Sequence, residues 1–369
     1  MPTTATSTLL SAGPVLFAPD VSVDGNVVLF AADVARATVF AFELPAETPA
    51  ADGAVVDVDH LGSKVASLLG VEREDAVIRG MTVHPVSHAV YLSVARGRGA
   101  EAGVAVVRAG TDGQLGVVEL DDLPVTSFEL DDAPSDDEQL DAWLDGTDVN
   151  SQPMEIHGVA LNIARVPAQR STITGLAWVD GTLFIAGLSN EEFSSRLRQV
   201  TYPFDGSATA TSVEIFHVDH GKYETQSPIR ALTSFDGGSS ILASYTCTPV
   251  VQFSIDELRG EGLVRGRTVA ELGPMNQPFS IVSYDRDGEE FLLVSNTRHP
   301  LLRIPAAAVA SQGSLTVAMS EPDHSLGVPR EELDHPGITW MASLDRGSVV
   351  AVQFVDGDTN LRTFRAADL

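Results

Sequence analysis

Residues Phe279–Pro305 read FSIVSYDRDGEEFLLVSNTRHPLLRIP: three apolar runs rich in Val, Leu, Ile and Phe, parted by an Asp-Arg-Asp-Gly turn and by a polar loop ending in Pro. β-Branched and aromatic runs bounded by Gly, Asp and Pro are strand and hairpin chemistry, so the stretch predicts three successive antiparallel strands. The same phrase recurs along the chain. It returns as GPVLFAPDVSVDGNVVLFAADVARATVFAFEL from Gly13, IRGMTVHPVSHAVYLSVARGRGAEAGVAVVRAG from Ile78 and ITGLAWVDGTLFIAGLSNEEF from Ile173. Two more copies, IRALTSFDGGSSILASYTCTPVVQFSI from Ile229 and ITWMASLDRGSVVAVQFVDGDTNLRTF from Ile338, bring the total to six.

A fourth run follows most copies: AVVDVDHL from Ala54, QLGVVELDDL from Gln114, SVEIFHVDH from Ser212, GRTVAELG from Gly266 and SLTVAMSEP from Ser314. Four strands at a period of roughly fifty to sixty residues are what a β-propeller blade requires. The expectation is an all-β fold, a β-propeller of six four-stranded blades with seven possible, spanning residues 1–369 as one domain. The sixth copy ends with three strands. The N-terminal TTATSTLL (Thr3–Leu10) is expected to supply its missing outer strand, closing the ring between the two termini.

One segment breaks the period. ELDDLPVTSFELDDAPSDDEQLDAWLDGTDVN, Glu119–Asn150, is strongly acidic and continues through Gln152–Arg170, where ALNIARVPAQ is expected to hold a helical turn. This insertion, at about 119–170 between blades two and three, reads as a solvated surface loop or as a lid. The EF-hand spacing and its central Gly are absent from it, so a calcium loop is the weaker reading.

Composition narrows the class of partner. The formal net charge is −28, and only two of the 23 basic residues, Lys64 and Lys222, are lysine. An acidic field repels phosphate backbones, which argues against nucleic acid. No window reaches the length of an apolar membrane span, and the first twenty residues lack a basic n-region followed by an apolar one, so a soluble, cytoplasmic protein is expected. A single cysteine, Cys247, forms no internal disulfide. Oligomeric state is not legible.

If the chain is a propeller, its inner strands line a central channel, and one face carries the joins between blades together with the loops between second and third strands. Sorted this way, the loops bring Asn190, Glu191, Glu192, Tyr245, Cys247, Asn296 and His299 to that face, and the joins bring His157, His217, His220, Tyr223, Glu224 and Asn276. His84 and His88 fall in a turn on the opposite face and read as structural. His217 and His220 enter blade four while Cys247 leaves its second strand, so one blade gathers two imidazoles and a thiol. Such donors suit copper, zinc or iron; calcium wants carboxylates and carbonyls. The metal ligands expected are His217, His220 and Cys247, with His157 or His299, around an ion for which copper is favoured. Cys247 also reads as a small packing residue at a strand end. Glu191, Tyr223 and Tyr245 are the expected proton-transfer and redox groups, and the substrate is expected to be a small organic molecule or a peptide.

The chain has no GxSxG elbow, phosphate loop, dinucleotide fingerprint or HExxH, and neither the Trp-Asp signature of WD40 repeats nor a Kelch glycine pair. Phrases such as MTVHPVSHAVYLSVARG and LAWVDGTLFIAG resemble the divergent bacterial propellers of the NHL, YncE and SMP-30/gluconolactonase type. That resemblance implies a six-bladed fold over nearly the whole chain. Its SMP-30 arm implies a calcium-dependent lactonase, but the family's calcium set does not match here residue by residue. A divalent-cation hydrolase using Asn190, Glu191, Asn276 and Asn296 is therefore an alternative to a metal-dependent oxidoreductase. A third is a non-catalytic interaction propeller that docks through the acidic insertion.

Overall fold

The computed structural model describes residues 9–99, 102–135, 137–144, 153–156, 159–246, 249–260, 262–273, 276–319 and 326–369, with backbone alone for 141–164. The fold class is all-β: six small antiparallel sheets form the blades of a six-bladed propeller, and a seventh small sheet comes from the acidic insertion. The chain divides into two compact units.

The first unit comprises Met1–Asp131, Gln139–Val166 and Trp340–Arg365. Blade one is built from Val15–Val21, Val27–Asp33, Thr38–Leu44 and, on its outer edge, Val125–Glu129. That outer strand is a correction: the segment expected to be loop pairs Val125–Glu129 against Thr38–Phe42. Blade two runs Ala76–Val83, Val90–Arg96, Gly103–Ala109 and Leu115–Val117. The last blade is Ile338–Asp345, Ser348–Val355 and Asp358–Arg365. Its outer edge is closed by Val58, which exchanges two backbone hydrogen bonds with Leu361 at 2.9 Å each, while Val56 N–H donates to the Thr363 hydroxyl at 2.8 Å. The run AVVDVDHL thus completes the last blade instead of the first. Of the expected strand TTATSTLL, residues 3–8 lie outside the described residues; just beyond them, Leu10 N–H and the Ser11 hydroxyl bind the buried Asp33 carboxylate of blade one at 2.7 and 2.8 Å.

A helix, Leu61–Leu69, follows that edge strand because Leu61, Val65 and Leu69 recur at helical spacing and bury one stripe against blades two and six. The Asp358 carboxylate caps its first turn from another strand, accepting from the Ser63 hydroxyl at 2.6 Å. The insertion sheet has the order Pro153–Ile156, Val159–Pro167, Gln139–Leu144. ALNIARVPAQ is strand through Pro167, and the helical turn expected in it is confined to its end, where the 3-10 turn Ala168–Ser171 begins. Pairing of Val159–Asn162 with Pro153–Ile156 holds the first part of the run extended.

The second unit comprises Asp132–Glu138, Pro167–Thr339 and Ala366–Leu369. Blade three is Gly175–Val179, Thr182–Leu188, Ser195–Thr201 and Thr209–His217. Blade four is Ile229–Phe235, Ser240–Tyr245, Pro249–Ser254 and Arg267–Glu271, extended by Leu326–Gly327. Blade five is Pro278–Arg286, Glu289–Asn296, Leu301–Pro305 and Glu331–Leu333. SLTVAMSEP was expected to give that last strand; none of its described residues is strand, and the chain returns to the blade further on. Apolar side chains that alternate along neighbouring blades fill the spaces between three and four and between four and five, with Tyr245, Phe184 and Phe253 fully buried in the first. Arg198, 2 % exposed, clasps Asp132 through Nε at 2.9 Å and also donates to the Thr172 and Leu188 carbonyls. Among the described residues no helix is long and apolar enough to cross a membrane.

Candidate metal centre

The outer strand of blade three, Thr209–His217, continues into a hairpin with Lys222–Glu224. The turn Val218–Gly221 closes because Gly221 adopts φ 64°, where a side chain is strained, and its N–H donates to the Val218 carbonyl at 3.2 Å. Ala318 packs against the same glycine and Met319 N–H also bonds Val218, so the turn is held from outside. Register places Ile215 opposite Glu224 and His217 opposite Lys222. Side chains alternate along strands, so His217 and Glu224 stand diagonally on one face.

Three donors meet there. Glu224 Oε2 lies 3.0 Å from His217 Nδ1, and Oε1 lies 2.6 Å from His220 Nδ1. The two imidazoles approach with centroids 3.9 Å apart. Ligand atoms of His217, His220 and Glu224 all fall within 4.8 Å of one another. Burial opposes charge on Glu224, but hydrogen bonds from His217, His220 and the Ser227 hydroxyl (2.9 Å) hold its carboxyl well below the usual carboxylate range. An ionised carboxylate only accepts, so both Nδ1 atoms carry the proton in these contacts. Lys222 Nζ is 3.6 Å from Glu224 Oε1 and exposed. His217 is buried, whereas His220 is 44 % exposed and gives the cluster one open side.

A second carboxylate stands behind His217. Glu271, at the end of blade four's outer strand, is fully buried, and its Oε2 is 4.0 Å from His217 Nε2. Neither Glu271 oxygen nor His217 Nε2 has a hydrogen-bond partner. Burial, then the charges of Asp219 and Glu224, push the Glu271 carboxyl well above its ordinary value; the Val218 and Asp219 amides face it and oppose the shift without reaching hydrogen-bonding geometry. Thr268 Oγ1 donates to the Phe216 carbonyl at 2.9 Å and ties the two outer strands together one residue before His217.

The cluster gathers His217 and His220 of the expected ligands, and adds Glu224 and Glu271. It lies on the outer strands of blades three and four, away from their inner strands. Cys247 and His157 lie outside the described residues. His299 binds Glu332 at 3.0 Å in blade five. Tyr223 is 40 % exposed on the hairpin, packed on Phe216 with ring centroids 5.1 Å apart and covered by the Arg265 guanidinium at 4.1 Å. Tyr245 is fully buried; its hydroxyl has no hydrogen-bond partner, and burial pushes the phenol up. Ser195 Oγ is close enough to favour phenolate charge, but not in hydrogen-bonding geometry. Glu191 pairs with Arg196 at 3.4 Å. Its loop borders the cluster, because Gln226, two residues after Glu224, donates to the Glu192 carbonyl at 3.3 Å.

Of the alternative oxygen set, Asn276 and Asn296 meet at one loop. Asn296 Oδ1 accepts from Arg298 and His299 N–H at 3.1 and 2.7 Å, and Asn276 Oδ1 accepts from Arg298 N–H at 3.2 Å, so both carbonyls brace one loop. His84 is buried and its Nδ1 accepts from Val86 and Ser87 N–H at 3.2 and 3.1 Å, a turn-building role. Glu271 escaped the sequence reading because nothing in GRTVAELG marks a strand-end glutamate as buried.

No protein-family model and no curated protein sequence matches the chain. Solved structures do. The major Malassezia sympodialis allergen Mala s 1 aligns at 13% identity over 97% of this chain and 94% of that one, with a TM-score of 0.38. A chain of a mitotic checkpoint complex aligns at 11% over 99% and 94%, TM-score 0.39. The PQQ-bound aldose sugar dehydrogenase of Streptomyces coelicolor aligns at 12% over 99% and 97%, TM-score 0.35. The six-bladed fold rests on the sheets themselves, and the resemblance to NHL, YncE and SMP-30 propellers reaches that fold and not a family.

Proposed function

We propose that the protein is a metal-dependent enzyme, an oxidoreductase acting on a small organic substrate or peptide, with its ion held by His217, His220 and Glu224. The observation that carries this reading is the convergence of two imidazoles and one carboxylate on a side open to solvent at His220. Two imidazoles and a carboxylate with open positions are the donor set of iron(II) oxygenases, and they serve zinc as well. The oxygen donor thus moves the preferred ion from copper toward iron(II) or zinc. Such an ion, when bound, supplies Lewis-acid activation and, if iron or copper, electron transfer. The hairpin supplies the rest: Ser227 and the strand register fix Glu224, and Glu191, whose loop is joined to the hairpin by the Gln226 contact to Glu192, is the proton-transfer group of this reading, since Tyr223 points to the hairpin's other face with Phe216. The lone cysteine keeps a reducing, cytoplasmic setting within this reading.

Metal content of protein purified without chelator tests it. Near-stoichiometric iron, zinc or copper in the native chain, lost in His217→Ala and in Glu224→Gln, is the expected result. Trace metal in both native and variant protein ends the reading.

A further inference from the structure

We infer that Glu271 is a positioning residue for the metal centre: it takes the hydrogen bond of His217 Nε2 and so presents Nδ1 to the ion. This rests on the metal reading above. The observation is an anomaly in the fold. Glu271 is fully buried with both carboxyl oxygens unpartnered, and the one buried nitrogen that faces it, His217 Nε2, is unpartnered too, 4.0 Å away. Buried polar groups in a folded protein find partners, and three orphaned atoms across one gap call for an explanation.

Folding alone does not provide it. A buried carboxyl beside the carboxylates of Asp219 and Glu224 costs stability, and an apolar side chain of similar size in its place would cost less. Binding of an ion provides it directly. With His217 Nδ1 carrying its proton toward Glu224 at 3.0 Å, Nε2 is a lone pair facing Glu271 across 4.0 Å, beyond hydrogen-bond length. When Nδ1 is engaged by an ion, the neutral ring must carry its proton on Nε2 instead, and that N–H then points at Glu271. A ring movement of about 1 Å turns the gap into a hydrogen bond of ordinary length. Metal-ligating histidines are characteristically held this way, by a carboxylate on the far ring nitrogen that fixes tautomer and orientation. The Thr268 bond to the Phe216 carbonyl keeps the two strands in place, so that the carboxyl stands ready.

Cobalt(II) added to the full-length, metal-stripped protein is the test, read by its d–d absorption and by competition with a chromophoric chelator. Native protein should bind with a spectrum of mixed nitrogen and oxygen ligation. Glu271→Leu should weaken binding ~10- to 100-fold and alter the spectrum, while the melting temperature of the metal-free protein stays level or rises. Glu271→Gln keeps a carbonyl acceptor and should recover most of the affinity and the native spectrum. The inference is overturned if Glu271→Leu binds cobalt(II) with native affinity and spectrum, or if Glu271→Gln is as impaired as Glu271→Leu. Absence of cobalt binding by the native chain overturns the metal reading itself and this role with it. Native binding that is lost in Glu224→Gln but indifferent to Glu271 removes only the positioning role.

Discussion

Val58 and Leu361 exchange backbone hydrogen bonds across 2.9 Å although three hundred residues of chain separate them. The last blade therefore owes its outer edge to a segment that follows the first blade in sequence. Val58→Pro removes the N–H that Leu361 accepts and leaves that carbonyl unpaired, a loss of about 1–3 kcal/mol. A lower urea midpoint for the variant is expected, together with faster exchange of amides in Asp358–Arg365. An unchanged midpoint would show that the edge contributes nothing.

Arg198 and Asp132 form the clasp that fastens Asp132–Glu138 to blade three. Asp132→Ala strands a guanidinium that is 2 % exposed and should cost about 3–5 kcal/mol. Pairing Asp132→Leu with Arg198→Met should recover much of that loss, since an apolar pair needs no counter-charge. Thermal melts of the single and double variants decide it; equal losses would show that Arg198 is held by its carbonyl bonds alone.

Glu47 gives the fold an acid limit. Burial opposes its charge, but Arg108, Tyr91 and Ser87 outweigh it and lower the carboxyl from 4.5 to about 2. Its folded value lies below its unfolded one, so its contribution is complete above about pH 4.5 and disappears as pH falls through 2. On the order of 2 kcal/mol is at stake. Glu47→Gln should flatten the stability profile between pH 4.5 and 2, in denaturant titrations run at each pH. A profile with native slope would assign the acid limit to other carboxylates.

Much of the fold was legible because strand chemistry is local. FSIVSYD, EEFLLVSN and LLRIP each declare themselves by β-branched and aromatic content and by their turn residues, and all three are strands. The outer strands were legible in part: QLGVVELDDL, SVEIFHVDH and GRTVAELG mark Leu115–Val117, Thr209–His217 and Arg267–Glu271. Glu331–Leu333, three residues long and half exposed, was not, and AVVDVDHL looks like any edge strand; which blade it joins depends on a partner three hundred residues away. The site divides the same way. His217 and His220 stood out by type and spacing, and their common face followed from the hairpin. Glu224, in the same hairpin, was placed on the face but not singled out, because strand register decides that it lies diagonal to His217. Glu271 comes from a different blade, and only packing brings it there.

The measurement that bears most directly on the central claim is anomalous diffraction from crystals of protein purified without chelator, collected on both sides of the iron and zinc absorption edges. One peak is predicted, about 2.0–2.2 Å from His217 Nδ1, His220 Nδ1 and a Glu224 oxygen. A map with no peak among those three side chains, or with the ion held elsewhere on the chain, contradicts the account.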